Sequence, residues 1–304
     1  MTVLRTPPTL FGRAAVHLEN IKFSHSVFAL PFAFAGAALA AREIDGSRWL
    51  PDLRTCLLVA AAAVAARTCA MSTNRVADRS IDAANPRTAA RPIPSGALSI
   101  KSTAALAVAS GLAFVLISFG ISPLCGYLSP LVLAVLLGYS WTKRFTVWAH
   151  GVLGLALGLA PAGAWLAVTG TFEGRIQVPI LLGAAVILWV AGFDLIYACQ
   201  DAEFDRRSGL HSIPGRFGIA SALRLSTALH IGAAALFIAL GWIVPLGPIY
   251  YAAVGVIGLL LVAQHRIVRP DDLSRVNAAF FTLNGWVGIG FLAGLLSDLA
   301  WRTP

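Results

Sequence analysis

LRTCLLVAAAAVAARTCAMSTNRVADRSIDAANPRTAARPIPSG, residues 53–96, passes from an apolar run into a stretch of aspartates, arginines and a Pro-Ile-Pro turn. About 20 apolar residues in helical form cross the hydrocarbon of a bilayer, so residues 53–74 read as one membrane span. Asn74, Asp78 and Asp82 follow one another at i, i+4 and i+8. On a helix their oxygens drift slowly around one face and can converge on a common ligand. Two carboxylates there suit a hard divalent cation such as Mg²⁺. Taken alone, the stretch reads equally well as a solvated polar loop with i,i+4 pairs.

Composition places the whole chain in the same environment. Of 304 residues, 58% are hydrophobic and only 12% charged, too little polar surface for a soluble globule of this size. Apolar runs recur to the end of the chain, which reads as an all-α integral membrane protein with no separate soluble domain. The economical count is nine spans: residues 23–41, 53–74, 103–121, 125–141, 147–168, 178–199, 220–244, 246–264 and 276–299. Glycines and Pro161 in the fifth span permit close helix contact or a kink. The amino terminus lacks the regions of a signal peptide, so the first span is expected to direct insertion.

The net charge of +9 raises nucleic acid as a partner, but the basic residues cluster in short loops between apolar runs, as membrane topology requires. No nucleic-acid role is expected. With the amino terminus cytoplasmic, the outer segments keep only Arg42, Arg48, Arg54, Arg175 and Arg302 among the loop cations. That asymmetry predicts a multi-pass protein of the inner (cytoplasmic) membrane with its acidic motifs facing the cytoplasm. Cys56, Cys69, Cys125 and Cys199 have no metal-ligand spacing, nor do His17, His150, His230 and His265.

A second acidic stretch, DLIYACQDAEFDRRSGLHSIPGRFG at residues 194–218, repeats the first. Asp194, Tyr197, Asp201 and Asp205 share one helical face at spacings of three, four and four. In both copies aspartates four apart end an apolar span, basic residues follow, and Ile-Pro closes the loop. The chain thus reads as one domain, 1–304, built of two pseudo-repeats, about 1–145 and 146–304. An aspartate at mid-membrane depth costs roughly 2.5–3.5 kcal/mol on insertion scales and marks a cavity or an ion site. Pairing with neighbouring arginines accounts for any single carboxylate but not for the duplication. Two opposed acidic patches among arginines and lysines make a seat for a diphosphate, and the apolar bundle beside it admits a lipid tail. A prenyl diphosphate fits both.

The pattern Asn74-Arg-x-x-Asp-x-x-x-Asp82, the segment Arg91-Pro-Ile-Pro-Ser-Gly, Tyr139-Ser-Trp-Thr-Lys-Arg-Phe-Thr146, and Asp194-x-x-Tyr-x-x-x-Asp-x-x-x-Asp205 together resemble the signatures of the UbiA superfamily of intramembrane aromatic prenyltransferases. Residues 21–32 and 277–284 further resemble a bacterial branch of 4-hydroxybenzoate polyprenyltransferase-like proteins, relatives of which act on a dihydroxynaphthoate in the futalosine route to menaquinone. The resemblance covers nearly the whole chain. It implies nine transmembrane helices around a central cavity with cytoplasmic cap loops.

It also implies a reaction: Mg²⁺-dependent transfer of a polyprenyl group from a polyprenyl diphosphate to a small aromatic acid in ubiquinone or menaquinone biosynthesis. The acceptor expected first is 4-hydroxybenzoate, with 1,4-dihydroxy-6-naphthoate as the alternative. Asp78, Asp82, Asp201 and Asp205 are the expected metal ligands, with Asn74 beside them as a neutral ligand or hydrogen-bond partner. Lys143, Arg144, Arg75, Arg79 and Arg91 are candidates to grip the diphosphate. Asp201 is also a candidate base, and Asp194 and Tyr197, deeper in the span, are expected to face the acceptor or the cation. Lys22, His25 and Asn284 could orient the acceptor, or else snorkel and bond neighbouring helices. His211 and Ser212 read as capping residues. A transporter or cation channel built on the repeat is the alternative of a different class.

Overall fold

The computed structural model describes residues 10–21 and 28–302. Lys22, His25 and the opening of the expected first span lie outside the described residues. The described chain is helical, with only an isolated bridge between Arg269 and Asp272 as extended pairing. In order it forms α1 (Leu10–Asn20), α2 (Leu30–Ile44), α3 (Leu53–Ala77), α4 (Arg79–Ala84), α5 (Ile100–Ile121), α6 (Pro123–Thr142), α7 (Ala149–Thr169) and α8 (Gln177–Ala198). A 3₁₀ turn (Cys199–Asp201) follows, then α9 (Ala202–Arg207), α10 (Ile213–Phe217), α11 (Ile219–Ile243), α12 (Pro248–Ile267), a π-helical stretch (Ala278–Leu283) and α13 (Asn284–Trp301).

Backbone groups have no water to bond in hydrocarbon, so each spanning segment must satisfy them internally, and helices do so. Eight segments among the described residues are long and apolar enough to cross: α3, α5, α6, α7, α8 with its continuation, α11, α12, and the π stretch with α13. These are the second to ninth spans expected from the sequence. The first corresponds to α2, whose 15 described residues fall short of a full crossing. Nine is therefore approximate. Most of α2 is buried, Phe32, Ala35, Ala37, Ala38 and Ala40 completely, so it stands inside the bundle against α7, α13 and α3.

Polar side chains set the helix ends. Asp52 caps α3 by accepting from Thr55 N at 3.0 Å, and Ser99 caps α5 through Ser102 N at 3.0 Å. Ser122 alone separates α5 from α6, accepting from Cys125 N while Pro123 occupies the first turn. Gly170 ends α7 in the left-handed region at φ 68°.

Small residues draw the helices together, since apolar side chains gain little over lipid by meeting one another. A Cβ on Gly158 of α7 would lie 2.8 Å from the Gly183 carbonyl of α8. Gly36 of α2 meets the backbone of Pro161 in the same way. Aromatic rings fill the interior, with Phe32 at 5.0 Å from Trp189 and 5.1 Å from Phe291, centroid to centroid. Leu57, Leu116, Leu131, Ile180, Ile231 and Leu259 face outward, where lipid lies. Consecutive helices pack as neighbours, and α13 returns to α2, which closes the bundle around a cavity.

Candidate functional site

Both acidic motifs form where a long helix breaks. α3 runs past the expected span end at residue 74 to Ala77, and α4 starts at Arg79. Asp78 sits at the junction, yet its N–H still bonds Asn74 O at 2.9 Å, and Asp82 N bonds Asp78 O at 2.7 Å. The i→i+4 register therefore survives the break, and Asn74, Asp78 and Asp82 keep a common face. α8 likewise tightens into the 3₁₀ turn before α9. Asp194, Tyr197, Asp201 and Asp205 still turn to one side.

That side and the α3 side line the same cavity of about 310 Å³. Its polar end collects Asn74, Arg75, Asp78, Asp82, Arg91, Lys143, Asp201 and Asp205. Its apolar end is walled by Phe28, Leu153, Leu157, Val190, Phe193, Phe280 and Phe281. Asp194 and Tyr197 line it as well, the tyrosine ring 4.3 Å from that of Phe280.

Opposite charges meet at nearly every carboxylate of the polar end. Asp78, 5% exposed, accepts from Asn74 Nδ2 at 3.0 Å, with Lys143 Nζ at 3.8 Å and Arg144 Nη2 at 3.4 Å. Arg144 also donates to the Ala77 carbonyl at 2.6 Å, which ties α6 to the end of α3. Asp82 accepts from Arg91 Nη1 at 2.8 Å through Oδ1, while its Oδ2 is buried without a hydrogen-bond partner. His211 N bonds the Lys143 carbonyl at 2.7 Å, bringing the second cap loop over the end of α6. Asp205 is buried beneath that loop.

The two arms are joined by a residue the sequence reading passed over. Arg87, in the loop after α4, donates through Nε to Asp201 Oδ1 at 2.9 Å and through Nη2 to Oδ2, and its Nη1 reaches Tyr197 Oη at 2.9 Å. Asn85 Nδ2 adds a bond to Asp201 Oδ1 at 2.8 Å. Burial works against the charge on Arg87, but the Asp201 carboxylate outweighs it and holds the guanidinium above its ordinary value. His150, which has no metal-ligand spacing in the sequence, also lines the cavity, its Nδ1 at 2.7 Å from Asp194 Oδ2.

Three sequence candidates do not line the cavity. Arg79 is exposed and folds back onto the Val76 carbonyl at 2.9 Å, because the helix break at Asp78 places it at the start of α4. Asn284 is fully buried between helices. It accepts from Trp189 Nε1 at 2.9 Å and Gln264 Nε2 at 2.7 Å and donates to the Ala279 and Phe280 carbonyls. It thus takes the helix-bonding role, closing the loosened carbonyls of the π stretch. Arg75 lines the cavity, but its Nε is engaged by the Asn20 carbonyl at 2.9 Å. Arg144 reaches Asp78 without lining the cavity itself.

Among the described residues no three Asp, Glu, His or Cys side chains converge tightly enough to enclose a metal by themselves. The unpartnered Asp82 Oδ2 and the paired carboxylates on each arm nevertheless fit a cation that takes one or two carboxylates and completes its shell with water and phosphate, as Mg²⁺ does.

Residues 29–286 match the profile of the UbiA prenyltransferase family. A 4-hydroxybenzoate octaprenyltransferase of Vibrio atlanticus is 31% identical, over 83% of this chain and 87% of its own length. A 4-hydroxybenzoate solanesyltransferase of Synechocystis is 34% identical, over 75% and 76%. Among solved structures, a UbiA homolog from Aeropyrum pernix superposes with a TM-score of 0.81 at 38% identity, over 90% of this chain and 98% of that one. A UbiA homolog from Archaeoglobus fulgidus, bound to DMAPP and Mg²⁺, shares the fold with a TM-score of 0.71 at 18% identity, over 94% and 99%.

Proposed function

The chain belongs to the UbiA prenyltransferase family, and we propose that it transfers a polyprenyl group from its diphosphate to 4-hydroxybenzoate, with Mg²⁺, in quinone biosynthesis. Family membership makes it an enzyme of prenyl transfer and removes the transporter alternative. One observation supports the specific reading: two acidic arms rich in basic partners and a set of aromatic and aliphatic side chains line one cavity. The names of the relatives support the acceptor and the chain length class.

In this reading Asp78, Asp82, Asp201 and Asp205 would hold the metal, which when bound neutralises charge on the departing diphosphate. Arg91, Lys143 and Arg87 grip the phosphate oxygens, each already poised beside a carboxylate it would exchange for phosphate. The aromatic wall of Phe193, Phe280 and Phe281 takes the first isoprene units and offers ring faces to an allylic cation. Enclosure keeps water from that cation. The acidic arms face the cytoplasm of an inner membrane with the amino terminus inside, in line with the loop charges. The two halves, about 1–145 and 146–304, are pseudo-repeats that each contribute one arm.

The purified protein in lipid nanodiscs, given labelled polyprenyl diphosphate and Mg²⁺, is expected to release diphosphate with 4-hydroxybenzoate. A preference for 1,4-dihydroxy-6-naphthoate would reassign the acceptor, and no release with either would remove the reading.

A further inference from the structure

Prenylation of a ring needs a group to receive the proton that the new carbon–carbon bond displaces, and the three ion-paired carboxylates of the acidic arms are already engaged by cations. Asp201 already accepts from Arg87 at both oxygens and from Asn85. Asp78 and Asp82 are engaged by Lys143, Arg144 and Arg91. Asp194 is differently placed. Its hydrogen-bond partner is His150, from the first turn of α7, and both residues line the cavity.

His150 is only 6% exposed, and its Nε2 is buried with no hydrogen-bond partner. A buried polar atom without a partner is rare and calls for an explanation. An ionised carboxylate can only accept, so the 2.7 Å contact puts a hydrogen on Nδ1, and in the neutral imidazole Nε2 then carries the lone pair. A carboxylate that fixes the tautomer and ring orientation of an imidazole, and stabilises its cation, is the arrangement that makes histidine a general base.

We propose that His150 is the proton acceptor of the transfer, with Asp194 as its positioning residue. The inference rests on the prenyltransferase reading and assigns one step of it. The allylic C–O bond breaks and its electron pair leaves with the diphosphate. A ring carbon beside the acceptor hydroxyl bonds to the allylic carbon. The proton on that ring carbon passes to His150 Nε2, and the C–H pair returns to the ring. The imidazolium stays paired with Asp194 until the proton leaves to solvent with the product.

The test uses the full-length protein in nanodiscs with prenyl diphosphate, Mg²⁺ and 4-hydroxybenzoate, either unlabelled or deuterated at both positions beside the hydroxyl. His150→Gln should lower kcat by about 10²- to 10⁴-fold, the range of general-base catalysis, with little change in KM for the prenyl diphosphate. It should also reveal a primary isotope effect that the wild type lacks, because loss of the ring proton then limits turnover. Asp194→Asn should show the same isotope effect with a smaller loss of rate.

A wild-type kcat in His150→Gln overturns the inference. So does a loss without an isotope effect, or one confined to KM for the acceptor, which would make His150 a binding group. Should His150→Gln not fold, Asp194→Asn decides, since His150 is then intact but unoriented, and an absent isotope effect overturns the assignment. A wild type that releases no diphosphate with either acceptor overturns the functional reading and this inference with it. An active wild type with an unaffected His150→Gln overturns this inference alone.

Discussion

Replacing Arg87 by alanine should loosen the connection between the two acidic arms. The guanidinium makes two bonds to Asp201 and one to Tyr197, and the ion-paired side chains are 29% and 17% exposed. A fully exposed pair of this kind contributes about 0–1 kcal/mol. Breaking a fully buried one costs about 3–5 kcal/mol, because the remaining charge is stranded. Asn85 still serves Asp201 after the substitution, so a loss of about 2–3 kcal/mol is expected. For a chain of 304 residues that lowers the melting temperature by roughly 3–5 °C. The same change removes one charge-assisted contact to the diphosphate, lowering kcat/KM about 10- to 100-fold. Arg87→Lys keeps the charge without the two-pronged geometry and should recover part of the stability. Melting curves in one detergent and initial rates in nanodiscs measure both effects. If Arg87→Ala melts with the wild type, the arms are not held by this residue and the reasoning fails.

Asp78→Ala and Asp201→Ala should each abolish turnover while leaving insertion intact, with Asp201→Ala costing stability comparable to Arg87→Ala because it strands the same guanidinium; wild-type rates in an acceptor assay would remove them from the site. Arg79→Ala should keep kcat/KM within about twofold of wild type, as an exposed side chain with one local bond does; a large loss would place it at the diphosphate. Asn284→Ala should destabilise by about 1–3 kcal/mol, because Trp189 Nε1 and Gln264 Nε2 lose their acceptor in a buried setting. Thermal melts showing no change there would mean that water takes its place.

Much of the architecture was legible because its signals are local. Span length, the i,i+4 aspartates and the Ile-Pro loop closures all lie within one turn or one loop of each other in the sequence, where helical geometry converts spacing into direction. The start of α2 at Leu30 was not legible, although Pro31 in its first turn is a residue that favours a helix start. Arg87 was missed for a different reason. Nothing in its own loop distinguishes it from Arg79 or Arg91, and its partners Tyr197 and Asp201 belong to the other half of the chain. His150 gave a fainter signal, a lone histidine at the start of an apolar helix, which metal spacing alone was the wrong test to detect. Asn284 was readable in both ways, and burial chose the structural one.

The pairing of Asp78, Asp82 and Asp201 with cations bears on how such a site exists beside a membrane at all. Buried carboxylates without counter-charge would be expensive, and so would arginines and a lysine gathered to receive a diphosphate. Each group here neutralises the other: Asp78 with Lys143 and Arg144, Asp82 with Arg91, Asp201 with Arg87. On the proposed reading, a diphosphate arriving with its metal brings both signs of charge together. The cations can turn to phosphate as the carboxylates turn to metal, and no buried charge is left alone during the exchange. Diphosphate or metal arriving singly would strand one set. Each therefore assists the binding of the other, which is the thermodynamic form of a site that responds to the complete substrate.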